Sequence, residues 1–265
     1  MLSRCLRLLG YVMVVVGIIS CGNMESETVF EGEQPGSYVA VSEYPDGTGW
    51  APFVFLRIGE NGDVERLVFD YVDTDLRMRS SVTVESNKES DEIAAKLKTA
   101  QAFPVNDDTL DQEALGWGNA LVQALIPRVT SEDERPVVLP MSAKYSAEDD
   151  PDSDGWIAVI TVAIDGRSIT AIDYDEVRKQ GGAIIARKSS SSAYAQEWRA
   201  AGGHDPQEVY GALAEQLVAE GAPSGVDVIG GATITSQRFR TLAGEALQQR
   251  TPIDFIGLKE HFYQQ

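Results

Sequence analysis

A strand–turn–strand pattern that occurs twice in the chain limits its possible folds more than any other feature. In the first copy, the apolar segment APFVFLRI and the mixed segment DVERLVFDY flank the polar turn Glu60-Asn61-Gly62. In the second copy, IAVITVAI and SITAIDYDEV flank Asp165-Gly166. Apolar residues that alternate beside an Asn-Gly or Asp-Gly pair, as Phe53 and Phe55 do, are typical of a β-hairpin with one buried face. Each copy therefore predicts a hairpin.

Each predicted hairpin is preceded by a segment suited to a third antiparallel strand and followed by two amphipathic segments suited to helices. The predicted third strands are 38–44 and 141–145, and the predicted helices are 89–101, 112–126, 206–217 and 236–249. The third helix has the clearest start, because Asp205 suits the N-cap and Pro206 the first helical position. The pattern predicts an α+β fold with two tandem repeats, each an antiparallel sheet covered by helices.

The two repeats predict two domains, over 37–128 and 137–250, with a C-terminal tail over 251–265. The polar stretch from Val129 to Arg135 separates them. A length of 265 residues accommodates either two small domains or one large one. One continuous domain with two similar hairpins, or one pseudo-symmetric body, remain alternatives that the pattern does not separate.

The amino terminus has the features of a lipoprotein signal peptide, which we assign to residues 1–20. Arg4 and Arg7 precede an apolar run from Leu8 to Ile19 that is too short to span a bilayer comfortably. The segment Ile18-Ile19-Ser20-Cys21 resembles a bacterial lipobox, in which Cys21 is lipidated and becomes the first mature residue. A plain secretory signal with an incidental cysteine is the alternative.

Residues 21–36 are acidic and rich in turn formers, so we interpret them as a tether between the lipid and the first domain. The only cysteine besides Cys21 is Cys5, inside the signal. The body of the protein therefore has no thiol for a disulfide, a zinc site or an iron–sulfur cluster. These features predict a cell-envelope protein, lipid-anchored to a bacterial membrane on its extracytoplasmic side.

The charge excludes several classes of partner. The chain has 22 Lys and Arg against 41 Asp and Glu, which gives a formal net charge of -19. Such a chain repels phosphate backbones, so we expect no nucleic-acid partner. The same charge disfavours attraction to an anionic membrane surface.

Signs of a catalytic or metal centre are weak. His204 and His261 are the only histidines and lie far apart in sequence, without a cysteine or a nucleophile–acid pair beside them. Asp108 and Asp111 form a small acidic cluster, but their spacing fits no calcium loop, and we interpret them as a solvated loop. We expect no metal site and no turnover enzyme.

The glycine-rich segment from Val226 to Ser236 leads into the last predicted helix, and Thr233 lies near the expected helix start. A helix start favours phosphate because of its unpaired N–H groups and the positive end of its dipole. The alternative is that Thr235 is an ordinary N-cap and Gly230-Gly231 an ordinary loop.

The segment Asp227-x-x-Gly230-Gly231-Ala232-Thr233 resembles the flavinylation motif of the FMN-binding domain family, which is aspartate, two residues, Ser or Thr, then Gly-Ala-Thr. The aromatic-led hairpin after Asp154 and the helices near Trp198 and Asp205 extend the resemblance over about 142–250. The family includes covalent-flavin subunits of the sodium-pumping NADH:quinone reductase and the Rnf complex, and tandem-domain lipoproteins of extracellular electron transfer.

The resemblance implies that a flavin transferase attaches FMN from FAD to Thr233 through a phosphoester. It implies cofactor-binding roles for Asp227, Gly230, Gly231 and Ala232, although Gly230 stands where the family has Ser or Thr. Trp156 is a candidate contact for the flavin ring, with core packing as the alternative. The corresponding segment of the first repeat, residues 106–112, lacks Gly-Ala-Thr. We therefore expect 37–128 to be a degenerate FMN-binding-like domain without flavin.

The sequence supports two functions. The first is a membrane-anchored extracytoplasmic electron carrier whose flavin carries the redox chemistry. Its partners would be the flavin transferase, the lipid membrane, and redox donor and acceptor proteins or a quinone-linked membrane complex. The second is a flavin-free cell-envelope binding or scaffolding lipoprotein. The acidic body suits transient docking to a basic partner in either case.

Overall fold

Two four-stranded sheets, each covered by helices, form the structure, a computed structural model that describes residues 29–30, 34–201 and 204–264. The predicted signal peptide, the lipidation residue Cys21 and residues 22–28 of the predicted tether lie outside the described residues. Among the helices that the structure describes, none combines the length and the apolar character needed to cross a bilayer.

The first sheet has the strand order β3-β2-β1-β4, with antiparallel neighbours except for the parallel pair β1 and β4. The two helices that follow its hairpin pack against one face of the sheet. The elements are β1 (Gly36–Ser42), β2 (Ala51–Ile58), β3 (Val64–Val72), α1 (Val84–Lys98), α2 (Gln112–Thr130) and β4 (Val137–Leu139).

The second sheet has the order β5-β6-β7-β8, and all of its pairs are antiparallel. The elements are β5 (Ser142–Glu148), β6 (Ile157–Asp165), β7 (Ser168–Gln180), β8 (Ala183–Arg187), α3 (Ser192–Ala200), α4 (Pro206–Glu220) and α5 (Thr233–Gln248), followed by α6 (Phe255–Tyr263). The predicted α+β fold with two sheet-and-helix repeats is confirmed.

Both predicted hairpins are present, and a glycine closes each turn. Gly62 has φ +79° and Gly166 has φ +58°, in the left-handed region that glycine adopts without a steric penalty. The hairpin strands pair from Ala51 with Val72 in the first repeat and from Ile157 with Val177 in the second. The Asn-Gly and Asp-Gly signals therefore predict these turns correctly.

The prediction of one buried face is wrong for the first hairpin. Val54 and Leu56 of β2 pack with α1 and α2, whereas Phe53 and Phe55 face the other way and pack with α6. The ring of Phe262 stacks on that of Phe55, with centroids 4.7 Å apart and 15° between the planes. An almost unbroken apolar run, as in APFVFLRI, fits a strand buried on both faces.

The second sheet has one fully buried face, as predicted. Ala158, Ile160, Val162 and Ile164 alternate along β6 and are buried against the helices, with partly buried residues between them. On the covering helices, the fully buried contacts come from Leu213 and Leu217 of α4 and Phe239 and Ala243 of α5.

Two segments differ from the expected division of the chain. Val137–Leu139, expected to begin the second domain, pairs with β1 of the first sheet. The expected C-terminal tail contains α6, whose Leu258 and Phe262 are buried on the first sheet. Contacts also join the loop after β1 to the second repeat, since the Tyr145 hydroxyl donates to the Pro45 carbonyl at 2.6 Å. The exact domain boundaries stay a prediction.

Replacing Phe262 with alanine should destabilise the protein, because the ring fills the space over Phe53 and Phe55. We expect the free energy of unfolding to fall by about 3 kcal/mol, the cost typical of a large core truncation. Ile256→Ala on the same helix is the control: its side chain is exposed, and we expect a change within about 0.5 kcal/mol. Urea unfolding measures both, and equal losses would contradict the packing of α6.

Candidate functional site

A cleft of about 450 Å³ lies in the second repeat, between the end of β7, the segment after β8, α3 and the start of α5. Its volume is in the range of about 300–1,000 Å³ that is usual for small-ligand sites. The residues that line it are Asp152, Glu176, Lys188, Tyr194, Trp198, Gly231, Ala232, Thr233, Ile234, Thr235 and Arg238.

The start of α5 forms one wall of the cleft and lacks a side-chain cap. The helix begins at Thr233 with Ala232 as its N-cap, two to three residues earlier than predicted. The other five α-helices in the described part of the chain each have a capping side chain at their N-terminus. The first-turn N–H groups of α5 are therefore available to an anion in the cleft.

The loop before α5 is held by Ser236 rather than by Thr235. Ser236 Oγ accepts the Ile229 N–H at 3.1 Å and donates to the Ala232 carbonyl at 2.9 Å. Gly231 has φ +80°, which permits the sharp entry into the helix. The interpretation of Thr235 as an N-cap is wrong, because its hydroxyl is buried and donates to Glu176 Oε1 at 3.3 Å.

A buried charge network forms the floor of the cleft. The Glu176 side chain is 2% exposed and forms ion pairs with Lys188 and, at 3.2 Å, with Arg238. Arg238 Nε also donates to Asp149 Oδ2 at 2.7 Å. A buried carboxylate needs such partners, since its desolvation costs several kcal/mol. The network fixes two cationic side chains beside the start of α5.

The pKa of Lys188 lies above its ordinary value. Burial by itself lowers this pKa, but hydrogen bonds to Glu176 and Tyr194, together with the Glu176 charge, outweigh the burial. The pKa of Arg238 is raised in the same way, since Asp149 and Glu176 overcome the effect of burial. Both side chains stay cationic at neutral pH.

Aromatic side chains form the opposite wall. Tyr194 and Trp198 line the cleft, with ring centroids 6.0 Å apart. Trp156 lies behind them, 5.9 Å from the Tyr194 ring, and Arg178 and Lys188 lie over its face at 4.5 and 5.2 Å. Trp156 therefore supports the aromatic wall and the Lys188 side chain from outside the cleft lining.

A buried aspartate holds the segment that carries Lys188. Asp175 Oδ1 accepts the N–H groups of Glu176 and Ser189 at 2.8 and 3.2 Å, and Oδ2 accepts the Ser189 hydroxyl at 2.5 Å. Sequence reasoning assigned no role to Lys188 and treated Asp175 and Glu176 only as part of a strand end. Two acids at the end of an apolar strand were the available signal, since buried carboxylates require partners.

The predicted cofactor residues fall in different places. Gly231, Ala232 and Thr233 line the cleft, and Thr233 is exposed. Gly230 is exposed beside it, with no heavy atom within 4 Å of the position that a Cβ would occupy. Asp227 is exposed outside the lining, and its N–H donates to Gln216 Oε1 at 2.6 Å.

Two arginines of α5 lie on different sides of the helix. Arg238 lines the cleft, whereas Arg240 lies on another side of the helix, beside Pro223 and Thr241. Across the residues that the structure describes, no group of three or more acidic, His or Cys side chains is placed to hold a metal ion.

Comparison with known proteins agrees with this site. The sequence profile of the FMN-binding domain family matches residues 155–248, which include β6, three members of the charge network (Glu176, Lys188 and Arg238) and the start of α5. The chain is 34% identical over 111 residues to the 15 kDa lipoprotein of Treponema pallidum (strain Nichols), covering 42% of this chain and 75% of the relative. The chain belongs to the FMN-binding domain family, and 155–248 constitute its FMN-binding domain.

Two solved structures are similar over part of the chain. A crystal structure of a Clostridium perfringens protein matches 42% of this chain and 89% of its own length, with 25% identity and a TM-score of 0.38. A solution NMR structure of a Clostridium thermocellum protein matches 43% of this chain and 95% of its own, with 20% identity and a TM-score of 0.28. Each alignment spans less than half of this chain.

Removing one of the two cations that pair with Glu176 should destabilise the second repeat. For Lys188→Met we expect a loss of about 3 kcal/mol, the low end of the cost of breaking a buried ion pair, because Arg238 still pairs with Glu176. The pKa of Lys188 is raised in the folded protein. The Lys188 charge therefore contributes fully to the free energy of unfolding at any pH below the ordinary lysine pKa of 10.5. The difference in the free energy of unfolding between this variant and the wild type should be constant near neutral pH and should narrow in more alkaline solution.

Lys179→Met is the matched control, because the Glu148 side chain in its ion pair is 57% exposed. Such a pair contributes about 1 kcal/mol or less. Urea unfolding at several pH values measures both variants. Equal effects of the two substitutions, or a Lys188→Met effect that disappears near neutral pH, would contradict the buried network.

Proposed function

We propose that this protein is a lipid-anchored, extracytoplasmic flavoprotein of a bacterial envelope that carries electrons through FMN linked by a phosphoester to Thr233. The observation that carries the proposal is the uncapped start of α5, with the exposed Thr233 as its first residue in the cleft. Phosphate is the anion that such a helix start suits, because it accepts several N–H groups at once.

The residues present fit the remainder of FMN as well. Tyr194 and Trp198 offer aromatic surface for a planar ring, and Lys188 and Arg238 supply positive charge close to the helix start. Glu176 holds both cations in place and limits their motion. Bound FMN supplies the one- and two-electron redox chemistry, while the protein contributes attachment, packing and charge.

The Thr233 hydroxyl is accessible to a modifying enzyme. In the proposed transfer, the Thr233 oxygen bonds to the phosphorus of the FMN half of FAD. The pyrophosphate bond breaks, AMP leaves, and the hydroxyl proton passes to the enzyme or to solvent. The exposed Ile234, with 74% of its surface accessible, gives a flavin transferase an apolar contact beside the acceptor.

The envelope location and the partners complete the proposal. Cys21 follows a lipobox-like segment, and the similar Treponema pallidum protein is a lipoprotein. A protein on a lipid tether reaches redox donor and acceptor proteins, or a quinone-linked membrane complex, by diffusion along the membrane. The net charge of -19 favours encounter with basic partner surfaces.

The decisive experiment is intact mass and visible absorbance of the protein produced together with a flavin transferase. We expect a mass increase of one FMN moiety and a flavin spectrum, both lost in Thr233→Ala and retained in Thr233→Ser. Thr109→Ala, in the corresponding segment of the first repeat, is the control and should be modified like the wild type.

Absence of an adduct, with the transferase shown to act on another substrate, would reject the carrier function and support a flavin-free binding or scaffolding lipoprotein. An adduct that persists in Thr233→Ala would place the linkage on another residue.

Gly230→Ser tests the departure from the motif. The position is exposed with open space for a side chain, and its φ is not positive, so serine should be accommodated without strain. We expect Gly230→Ser to increase the fraction modified at limiting transferase, by restoring the motif hydroxyl, with little change in the free energy of unfolding. A modified fraction equal to or below that of the wild type would show that this hydroxyl does not assist the reaction.

A further inference from the structure

A second cleft, of about 460 Å³, lies in the first repeat. It occupies the place that corresponds to the cleft of the second repeat, between the end of β3, the segment after it, and the start of α2. The residues that line it are Asp46, Thr48, Trp50, Tyr71, Arg79, Glu89, Asp111 and Glu113.

The correspondence follows from strand register and from a shared buried aspartate. Val72 and Val177 occupy equivalent positions, opposite the first residues of β2 and β6. Asp70 Oδ1 accepts the N–H groups of Tyr71 and Ser80 at 2.7 and 3.1 Å, the same pattern that Asp175 forms with Glu176 and Ser189. Tyr71 therefore replaces Glu176, and Arg79 replaces Lys188.

The start of α2 is closed to anions. The Asp111 carboxylate caps the helix by accepting the Ala114 N–H at 2.8 Å, and Glu113 adds a second negative charge in the first turn. The cleft therefore has four carboxylates against the single cation Arg79. The cleft of the second repeat is balanced, with Asp152 and Glu176 against Lys188 and Arg238. The differences in charge and in helix capping give a physical reason why a phosphate-linked group would suit the second repeat and not the first.

The negative charges of these carboxylates are only partly balanced by cations and by hydrogen-bond donors. Arg79 lies 3.8 Å from Glu89, and Asp46 Oδ1 accepts the turn N–H groups of Thr48 and Trp50. For Glu113, no ion-pair partner occurs among the residues described. The four acids are spread around the cleft. Among the described residues, no three or more acidic, His or Cys side chains lie close enough together to hold a metal ion. Their arrangement fits an extended organic cation better than a single ion.

Tyr71 provides an independent sign of a ligand. Its side chain is about nine-tenths buried and lines the cleft, yet its hydroxyl forms no hydrogen bond to any described residue. Burial raises the pKa of this hydroxyl, and Glu89, Asp111 and Glu113 raise it further against the opposing effect of Arg79. It is therefore a neutral donor and acceptor at physiological pH, reachable from the cleft and placed among carboxylates.

We infer that this cleft binds a linear aliphatic polyamine. Its ammonium groups would pair with the carboxylates at the two sides of the cleft, namely Glu89 on α1 and Asp111 and Glu113 on α2. Its methylene chain would pack on the ring of Trp50, and the Tyr71 hydroxyl would accept an N–H. The inference does not depend on flavin attachment in the second repeat.

Isothermal titration calorimetry of the full chain with spermidine tests the inference. At about 0.15 M ionic strength, where the Debye length is ~8 Å, diffuse attraction to the acidic surface is largely screened. We expect saturable binding of one spermidine. Glu113→Gln should weaken it about ten-fold and Tyr71→Phe about five-fold, the losses expected for one charge-assisted and one neutral hydrogen bond.

Glu215→Gln is the matched control, because Glu215 is an exposed acid on α4, in the other repeat. It should bind spermidine like the wild type. Tyr71→Phe keeps the ring, and its thermal unfolding verifies that a loss of binding is not a loss of fold.

Three results would overturn the inference: no saturable binding, equal weakening in Glu215→Gln, or displacement of spermidine by stoichiometric Ca²⁺. Performing the titration also with Thr233→Ala separates it from the proposed function, since spermidine binding should not change when flavin attachment is lost.

Discussion

The last helix of each repeat packs on the apolar face of its sheet, and this packing fixes where the start of that helix lies. In the second repeat, Phe239 and Ala243 of α5 are buried against the sheet, so the first turn of the helix reaches the end of β7. A cleft results between the helix start, the strand end and the segment that follows β8. The site is thus a consequence of core packing, since helix starts expose unpaired N–H groups wherever the core places them.

What occupies the helix start decides the chemistry of each cleft. Both repeats keep the buried aspartate that pins the segment beyond the strand end, Asp70 in the first and Asp175 in the second. In the second repeat, Ala232 leaves α5 open and Glu176 holds two cations nearby. In the first repeat the carboxylate of Asp111 fills the equivalent position on α2. One scaffold therefore presents an anion-accepting cleft and an acidic cleft.

The two sheets are also buried differently. α6 covers the outer face of the first sheet through Phe262 and Leu258, and strand β4 extends the edge of that sheet. Both segments come from outside the first repeat in sequence, so the chain returns to this sheet after each repeat is complete. The first sheet is consequently buried on both sides, a cover that the unbroken apolar pattern of β2 requires.

The sequence alone determined the hairpins, the repeat and the glycine-rich loop before α5, because turn glycines, alternating apolar residues and a short motif act over a few neighbouring positions. The sequence also predicted the α+β class and the helix that follows Gly230-Gly231, although it placed the start of that helix two to three residues too late. Only the tertiary structure brought Lys188 to Glu176 and Phe262 to Phe55. Those contacts depend on the register of β7 with β8 and on the return of the C-terminal segment to the first sheet. No local pattern encodes either of them, because the free energy that selects them comes from burial shared among residues distant in sequence.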